Sequence, residues 1–237
     1  QYLVAETEAE ISTLVKELGK HKEICFDTET TSIDANAAEL VGLSFSVKPG
    51  QAWYIPCPAD EAATKNLLSL FAPLFSDREK IWVGQNTKYD LLILKWYGIE
   101  LAGDVFDTML AHYVIDPDGK RGMDVLSERY LGYEPVHIEE LIGKKGKGQG
   151  TMRDVAIEKI KDYAAEDADI TLQLKQAFVP LLKEKQVEKV FNEVENPLVK
   201  VLVDMEFEGI RVDEHFLKEY SKELETEAKK EIGRAHV

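Results

Sequence analysis

The sequence predicts an α/β protein in which a mixed sheet is flanked by helices. Three observations carry this expectation. Short β-rich runs at residues 24–26, 40–47 and 52–55 come early, apolar residues at helical spacing precede them, and helical patterns dominate after Gly98. Over residues 5–18, Ile11, Leu14, Val15 and Leu18 share one helical face, and Gly19 supplies a stop. The three β-rich runs follow as strands, and Pro49-Gly50 makes the last two a hairpin. A helix is expected over 60–75, a short strand over 81–83, and a helix over 87–97 ended by Gly98. Asp107 can cap a helix running to residue 114. Further helices are expected over 123–130 and over 152–185, the latter bent at Pro180.

The stretch Gly143 to Gly150 (GKKGKGQG) has no apolar residue and reads as a flexible basic loop. It lacks the Lys-Ser/Thr that a Walker loop needs, since Gly148 is followed by Gln149. Two readings stand: a basic lid that touches phosphate, or a solvated linker. Beyond Gln186 the helical pattern resumes with Phe191, Val194, Leu198, Val201, Leu202 and Met205, breaks at Gly209, and passes through Ile210-Arg211-Val212 into a charged helix from Asp213. Residues 220–232 offer few apolar groups, so their packing partner is expected outside this chain. The final EIGRAHV (residues 231–237) has the look of a translated adapter and is expected to be non-native.

The chain has 237 residues, 44% of them hydrophobic and 31% charged, with a formal net charge of −15. This composition belongs to a folded chain rather than a disordered one. Its apolar runs are far shorter than the roughly 20 residues needed to cross a bilayer, so no membrane role is expected. The acidity opposes long-range capture of a polyanion, so a nucleic-acid role would need local basic patches or bound cations. Cys25 and Cys57 sit in apolar contexts without metal-ligand spacing and read as reduced core thiols of a cytoplasmic protein. The start at Gln1 leads us to expect a piece of a longer protein.

Acidic groups occur in three unusual settings. In Phe26-Asp27-Thr28-Glu29-Thr30, the two acids are two apart on a strand and so share a face. Side by side they repel unless a proton or a cation intervenes, and hard cations favour such oxygen ligands. The plain alternative is a polar strand end leading into a turn. In Gly84-Gln85-Asn86-Thr87-Lys88-Tyr89-Asp90 a strand runs into a helix, with Asn86 and Asp90 one turn apart near its N-terminus. Asn86 can serve simply as the helix cap. In Tyr163-Ala164-Ala165-Glu166-Asp167-Ala168-Asp169, Tyr163 and Asp167 share a helix face, and the alanines leave room for something to approach. A solvated acidic face accounts for Asp169 but not for that pairing.

Together with Phe106-Asp107-Thr108-Met109, these motifs resemble the proofreading 3′-5′ exonuclease domains of bacterial family A DNA polymerases, the DNA polymerase I type. These form the DEDDy branch of the DnaQ-like exonucleases, with an RNase H-like fold. The resemblance runs from about Glu23 to Leu174. It continues through Glu195-Asn196-Pro197-Leu198 and Gly209-Ile210-Arg211-Val212-Asp213, which look like the entry into a polymerase domain. On this basis residues 1–186 are expected to form the exonuclease domain and residues 187–230 the start of the polymerase domain.

The resemblance implies metal-binding carboxylates at Asp27, Glu29, Asp90 and Asp167, with Tyr163 completing the catalytic set. It implies contacts to the substrate strand from Thr30, Ile33, Gln85, Asn86 and Tyr89, where Ile33 stands in place of the family's usual Leu, and Arg129 is expected to join them as a basic contact. Local basic help is expected from Lys88, Arg129, Lys144, Lys145 and Lys147. The implied chemistry is hydrolysis of the 3′-terminal phosphodiester of DNA with release of nucleoside 5′-monophosphates, assisted by two divalent cations, Mg²⁺ first, with Mn²⁺ and Zn²⁺ as alternatives. The implied partners are a single-stranded DNA 3′ end and a covalently linked polymerase domain, in a cytoplasmic monomer. Two rival readings share parts of the pattern: a non-catalytic spacer of a polymerase, which the complete acid set opposes, and an RNase D-like exoribonuclease, which the polymerase-like tail opposes.

Overall fold

A computed structural model describes residues 1–235 of the chain. The end of the expected adapter tail, His236 and Val237, lies outside the described residues. The chain opens with β1 (Tyr2–Val4), which was not anticipated, and α1 (Glu8–Gly19). The Thr7 side chain caps α1 and Glu10 returns the bond to the Thr7 backbone, a reciprocal capping box. Next come β2 (Glu23–Thr30), β3 (Leu40–Lys48) and β4 (Gln51–Pro56). The helix expected over 60–75 is two pieces, α2 (Glu61–Ser69) and α3 (Ala72–Phe75), because the chain turns at Leu70-Phe71 to bury Phe71. β5 (Ile81–Gly84), α4 (Thr87–Trp96), β6 (Asp104–Asp107) and α5 (Thr108–Ile115) follow. β6 was missed: four residues are too few to show alternation against the helical patterns around them.

The second half contains α6 (Met123–Leu131), α7 (Ile138–Ile142), a 3₁₀ turn at Met152–Asp154 and α8 (Ile157–Glu184). α8 therefore begins later than expected, and Pro180 lies inside it without ending it. α9 (Glu188–Val190), a π turn at Phe191–Glu195 and α10 (Asn196–Glu208) lead to α11 (Glu214–Ala235). Residues 210–212 carry no strand.

Among the described residues, six strands form one sheet in the order β1-β4-β3-β2-β5-β6. β2, β3 and β4 pair antiparallel, while β1 on β4, β5 on β2 and β6 on β5 run parallel. Alternation along β2 assigns its residues to two layers. Ile24 and Phe26 join α1, α3, α4 and the edge-to-face Trp82 ring in the larger core, and Cys25 faces Leu172 of α8. Each large side chain fully buried there contributes about 1.5–3 kcal/mol. A second core joins α5 and α6 to α8 through Ala111, Leu126, Ile170, Leu174 and Phe178. The result is a three-layer α/β/α arrangement.

The chain divides into two units, residues 1–207 and residues from Glu208 on. The boundary expected after residue 186 is not a break in packing. Phe191 is buried in the second core and Val199 and Val203 in the first, while Asn196 Nδ2 donates to Val105 O and Lys200 Nζ to Leu101 O. These apolar anchors extend the unit to Phe207. The second unit consists of the α10–α11 connection and α11, whose N-terminus is capped by Asp213. No helix among the described residues is long and apolar enough to cross a membrane.

Candidate active site

Asp27 and Glu29 leave β2 on the face that α8 covers, and the helical spacing of Tyr163 and Asp167 points both of them back at that face. One carboxylate oxygen from each of Asp27, Glu29 and Asp167 falls within 4.8 Å of the others. A register shift between Glu29 and Thr30 bends the strand where the acids gather, a frequent device beside active sites. Across the ladder Glu29 faces Gly42, and the Tyr54 ring occupies the space that a Cβ on Gly42 would need. Any side chain at position 42 would therefore displace Tyr54 from the wall behind Glu29.

Asp90 reaches the strand from α4. Its Oδ1 accepts from the Thr28 backbone N–H at 3.1 Å and from the Thr28 hydroxyl at 2.5 Å. It is buried beside the other three carboxylates, yet outside the group that converges within 4.8 Å. Tyr163 sits beside Asp167 on α8, close enough for the Asp167 charge to act on its phenol.

Burial dominates the electrostatics. It pushes the Asp27 carboxyl up to about 7, and it lifts Glu29, Asp90 and Asp167 well above the usual carboxylate range, with the Asp27 charge adding to all three. Burial, followed by the Asp167 charge, raises the Tyr163 phenol far above its usual value, so it stays protonated at neutral pH. Glu29 Oε1 is buried with no hydrogen-bond partner among the described residues. An orphaned carboxylate oxygen among converging acids fits a hard divalent cation, which takes oxygen ligands and relieves the repulsion.

The sign of these shifts makes a prediction. Unfolded carboxyls ionise near pH 4, whereas burial raises all four here, so their support of the fold is complete below about pH 4 and falls as pH rises, that of Asp27 being lost through about 7. Metal-free protein should melt lower at pH 8 than at pH 6, and millimolar Mg²⁺ or Mn²⁺ should restore several degrees at pH 8 but little at pH 5. Differential scanning fluorimetry checks this; a melting temperature indifferent to metal at pH 8 removes the cation site.

The acids open onto a cleft of roughly 590 Å³, whose wall also includes Thr30, Ser32, Ile33, Asn86, Tyr89, Ile138, Lys145 and Gln149. Thr30 Oγ1, the Tyr89 hydroxyl and Ser32 O lie within hydrogen-bond reach of one another, and the two hydroxyl hydrogens serve two of the three contacts at a time. Ile33 is 91% exposed on the rim. Asn86 occupies the cap position of α4 in a left-handed conformation (φ 61°, ψ 45°) without capping it. Asp107 caps instead. Its Oδ2 accepts from Thr87 N and Oγ1, both at 2.7 Å, while its Oδ1 accepts from Asn86 N and, at the start of α5, from Leu110 N at 3.0 Å. The Asn86 side chain is thereby free to line the cleft, at a backbone cost typical of functional positions.

Two expected contacts are not brought there. Gln85 bonds the Thr108 hydroxyl and donates to Arg121 O at 2.9 Å, so its amide locks the start of α5. Arg129 lies on α6, paired with Asp116 at 2.7 Å over the Tyr130 ring. Neither residue lines the cleft. Conversely, sequence reasoning missed Ile138, Glu139 and Ile142, because the five residues of α7 carry no periodic signal. It also passed over Glu166, which accepts from the Tyr133 hydroxyl and from Val136 N at 2.8 Å. That bond pins the approach to α7 onto α8. Asp169 is structural, accepting from Tyr2, the Gly50 N–H and Gln173.

A mixed sheet with carboxylates gathered between a central strand and a long covering helix is the α/β arrangement that the resemblance to DnaQ-like exonucleases implies. Residues 2–183 match the model of a family described as 3′-5′ exonuclease, and the chain belongs to that family. It is 40% identical to DNA polymerase I of Pseudomonas aeruginosa over 233 residues, covering 94% of this chain and 25% of that protein. The chain spans about a quarter of the length of the curated relatives it matches. Among solved structures it resembles the POL domain of Pol1 from M. smegmatis, in complex with DNA primer-template and dNTP, with TM-score 0.73 and 21% identity over 96% of this chain and 36% of that one. It also resembles Brucella melitensis NrnC with bound Mg²⁺, with TM-score 0.63 and 18% identity over 91% of this chain and 98% of that one. At these identities the likeness is one of fold.

Proposed function

We propose that the cleft hydrolyses the 3′-terminal phosphodiester of single-stranded DNA and releases nucleoside 5′-monophosphates. The convergence of Asp27, Glu29 and Asp167 beside Tyr163 carries this reading. Asp27, Glu29, Asp90 and Asp167 are the residues that would hold divalent cations, with Mg²⁺ first. Such ions, when bound, supply Lewis-acid polarisation of the phosphate and a water acidic enough to attack at neutral pH.

The remaining work falls to the chain's own groups. Tyr163 keeps its proton, so it orients the attacking water as a hydrogen-bonding group and does not act as the base. Asn86 and Thr30 offer polar contacts to the end of the strand, Tyr89 holds Thr30 in place, and Ile33 presents an apolar surface to the terminal base. Gln85 and Arg129 keep no part in this proposal, since their side chains are engaged elsewhere. The DNA polymerase I relatives support the wider reading of a proofreading domain that continues into a covalently linked polymerase, which we place in a cytoplasmic monomer.

The test is digestion of matched 5′-labelled DNA and RNA oligonucleotides. With Mg²⁺ the DNA should shorten one nucleotide at a time from its 3′ end and the RNA more slowly, and EDTA should stop both. Faster loss of RNA would replace this reading with an exoribonuclease, and intact DNA under all divalent ions would remove it.

A further inference from the structure

The basic segment between α7 and the 3₁₀ turn borders the same cleft as the acids. Gly150 N donates to Ile142 O at 2.8 Å and closes the loop at its base, and Gln149 bonds back to Gly146 O and Gly143 O within it. Gly143, Gly146 and Gly148 take φ of 85°, 145° and 101°, values that L side chains rarely adopt, so these glycines write its turns. The closed loop sets Lys145 and Gln149 into the cleft wall. Among the described residues that line this cleft, Lys145 is the one basic side chain, set among Asp27, Glu29, Glu139 and Asp167. It is exposed and makes no ion pair with any described residue. Of the other basic candidates, Lys88 is paired with Glu206 and Arg129 with Asp116.

A chain of phosphates entering this cleft meets four acids and a single cation. Cations at the carboxylates would serve the phosphate being cleaved, which leaves its neighbours in need of a positive partner. We propose that Lys145 holds a phosphate of the bound strand other than the scissile one, so that the loop selects polynucleotides over isolated phosphodiesters. This rests on the exonuclease reading of the cleft.

The test compares Lys145→Gln with Lys16→Gln, which removes the same charge from α1, away from the cleft. Binding of a fluorescent oligothymidylate ending in a phosphorothioate is followed by anisotropy in Mg²⁺ across a salt series. Lys145→Gln should weaken binding about 3–10-fold at low salt and flatten the log–log salt slope by about 0.7, the loss of one single-strand phosphate contact, whereas Lys16→Gln should change neither. The kcat/KM of Lys145→Gln should fall similarly on an oligonucleotide and stay unchanged on the p-nitrophenyl ester of thymidine 5′-monophosphate, which carries only the scissile phosphate. An unchanged salt slope, or equal losses on both substrates, overturns the proposal. A flattened slope in a chain that releases no nucleotides would leave the Lys145 contact standing and remove the exonuclease reading instead.

Discussion

Asp27→Ala should abolish release of 3′ nucleotides, lowering kcat on the order of 10³-fold or more in saturating Mg²⁺. The residue sits where the site's electrostatics concentrate: its charge raises Glu29, Asp90 and Asp167 alike, and its carboxylate belongs to the converging group. Removing it takes away a proposed cation ligand and relieves the repulsion at once. The same variant should therefore melt at or above the parent chain in EDTA at pH 8, while losing most of the stabilisation that Mg²⁺ confers. The two readouts move in opposite directions, which separates a lost active site from a misfolded chain. Undiminished digestion by Asp27→Ala would falsify the site assignment.

Asp107→Ala should be among the most destabilising single changes in the chain, by about 3–5 kcal/mol. One buried carboxylate caps two helices, α4 through Thr87 and Asn86 and α5 through Leu110, and its loss strands backbone N–H groups at both N-termini. A lost cap costs about 1 kcal/mol, and each buried donor left without a partner costs about 1–3 kcal/mol. Asp107→Asn keeps the shape but must turn its amide nitrogen toward donors at one of the two helices, so about half the cost should remain. Urea midpoints measure both. Because the start of α4 positions Asn86 at its cap and Asp90 in its first turn, digestion of DNA should fall with the Ala variant even below its unfolding temperature. A loss under about 1 kcal/mol would show that the double cap is not what holds the two helices in register.

Much of the site is written in local periodicity. A strand places Asp27 and Glu29 on one face, and a helix places Tyr163 and Asp167 one turn apart. Asp107 as a cap for α5 was equally legible, because a cap bonds within three residues of its own position. The second cap was not. Asn86 stands where α4 begins and is a favoured capping residue, yet Asp107 takes the role across two parallel strands, and the conformation of Asn86 follows from that. Gln85 was expected from its place in the family motif and Arg129 from its charge, but neither says which partner a side chain meets first: an amide beside Thr108 and a guanidinium beside Asp116 are already engaged.

The charge of −15 shows the same division. The sequence establishes the excess of acid and the period at which its informative members recur. It also establishes, through the order of strand-like and helical segments, that a sheet is covered by helices. Packing assigns the rest. α8 lies on the face of β2 that carries the acids, Asp90 enters from the opposite layer onto Thr28, and the glycine-rich loop closes beside the cleft. The physical reason is range. Backbone geometry and hydrogen bonding set periodicity within a few residues, whereas these meetings join groups 60 to 140 positions apart, and burial of the shared core selects them.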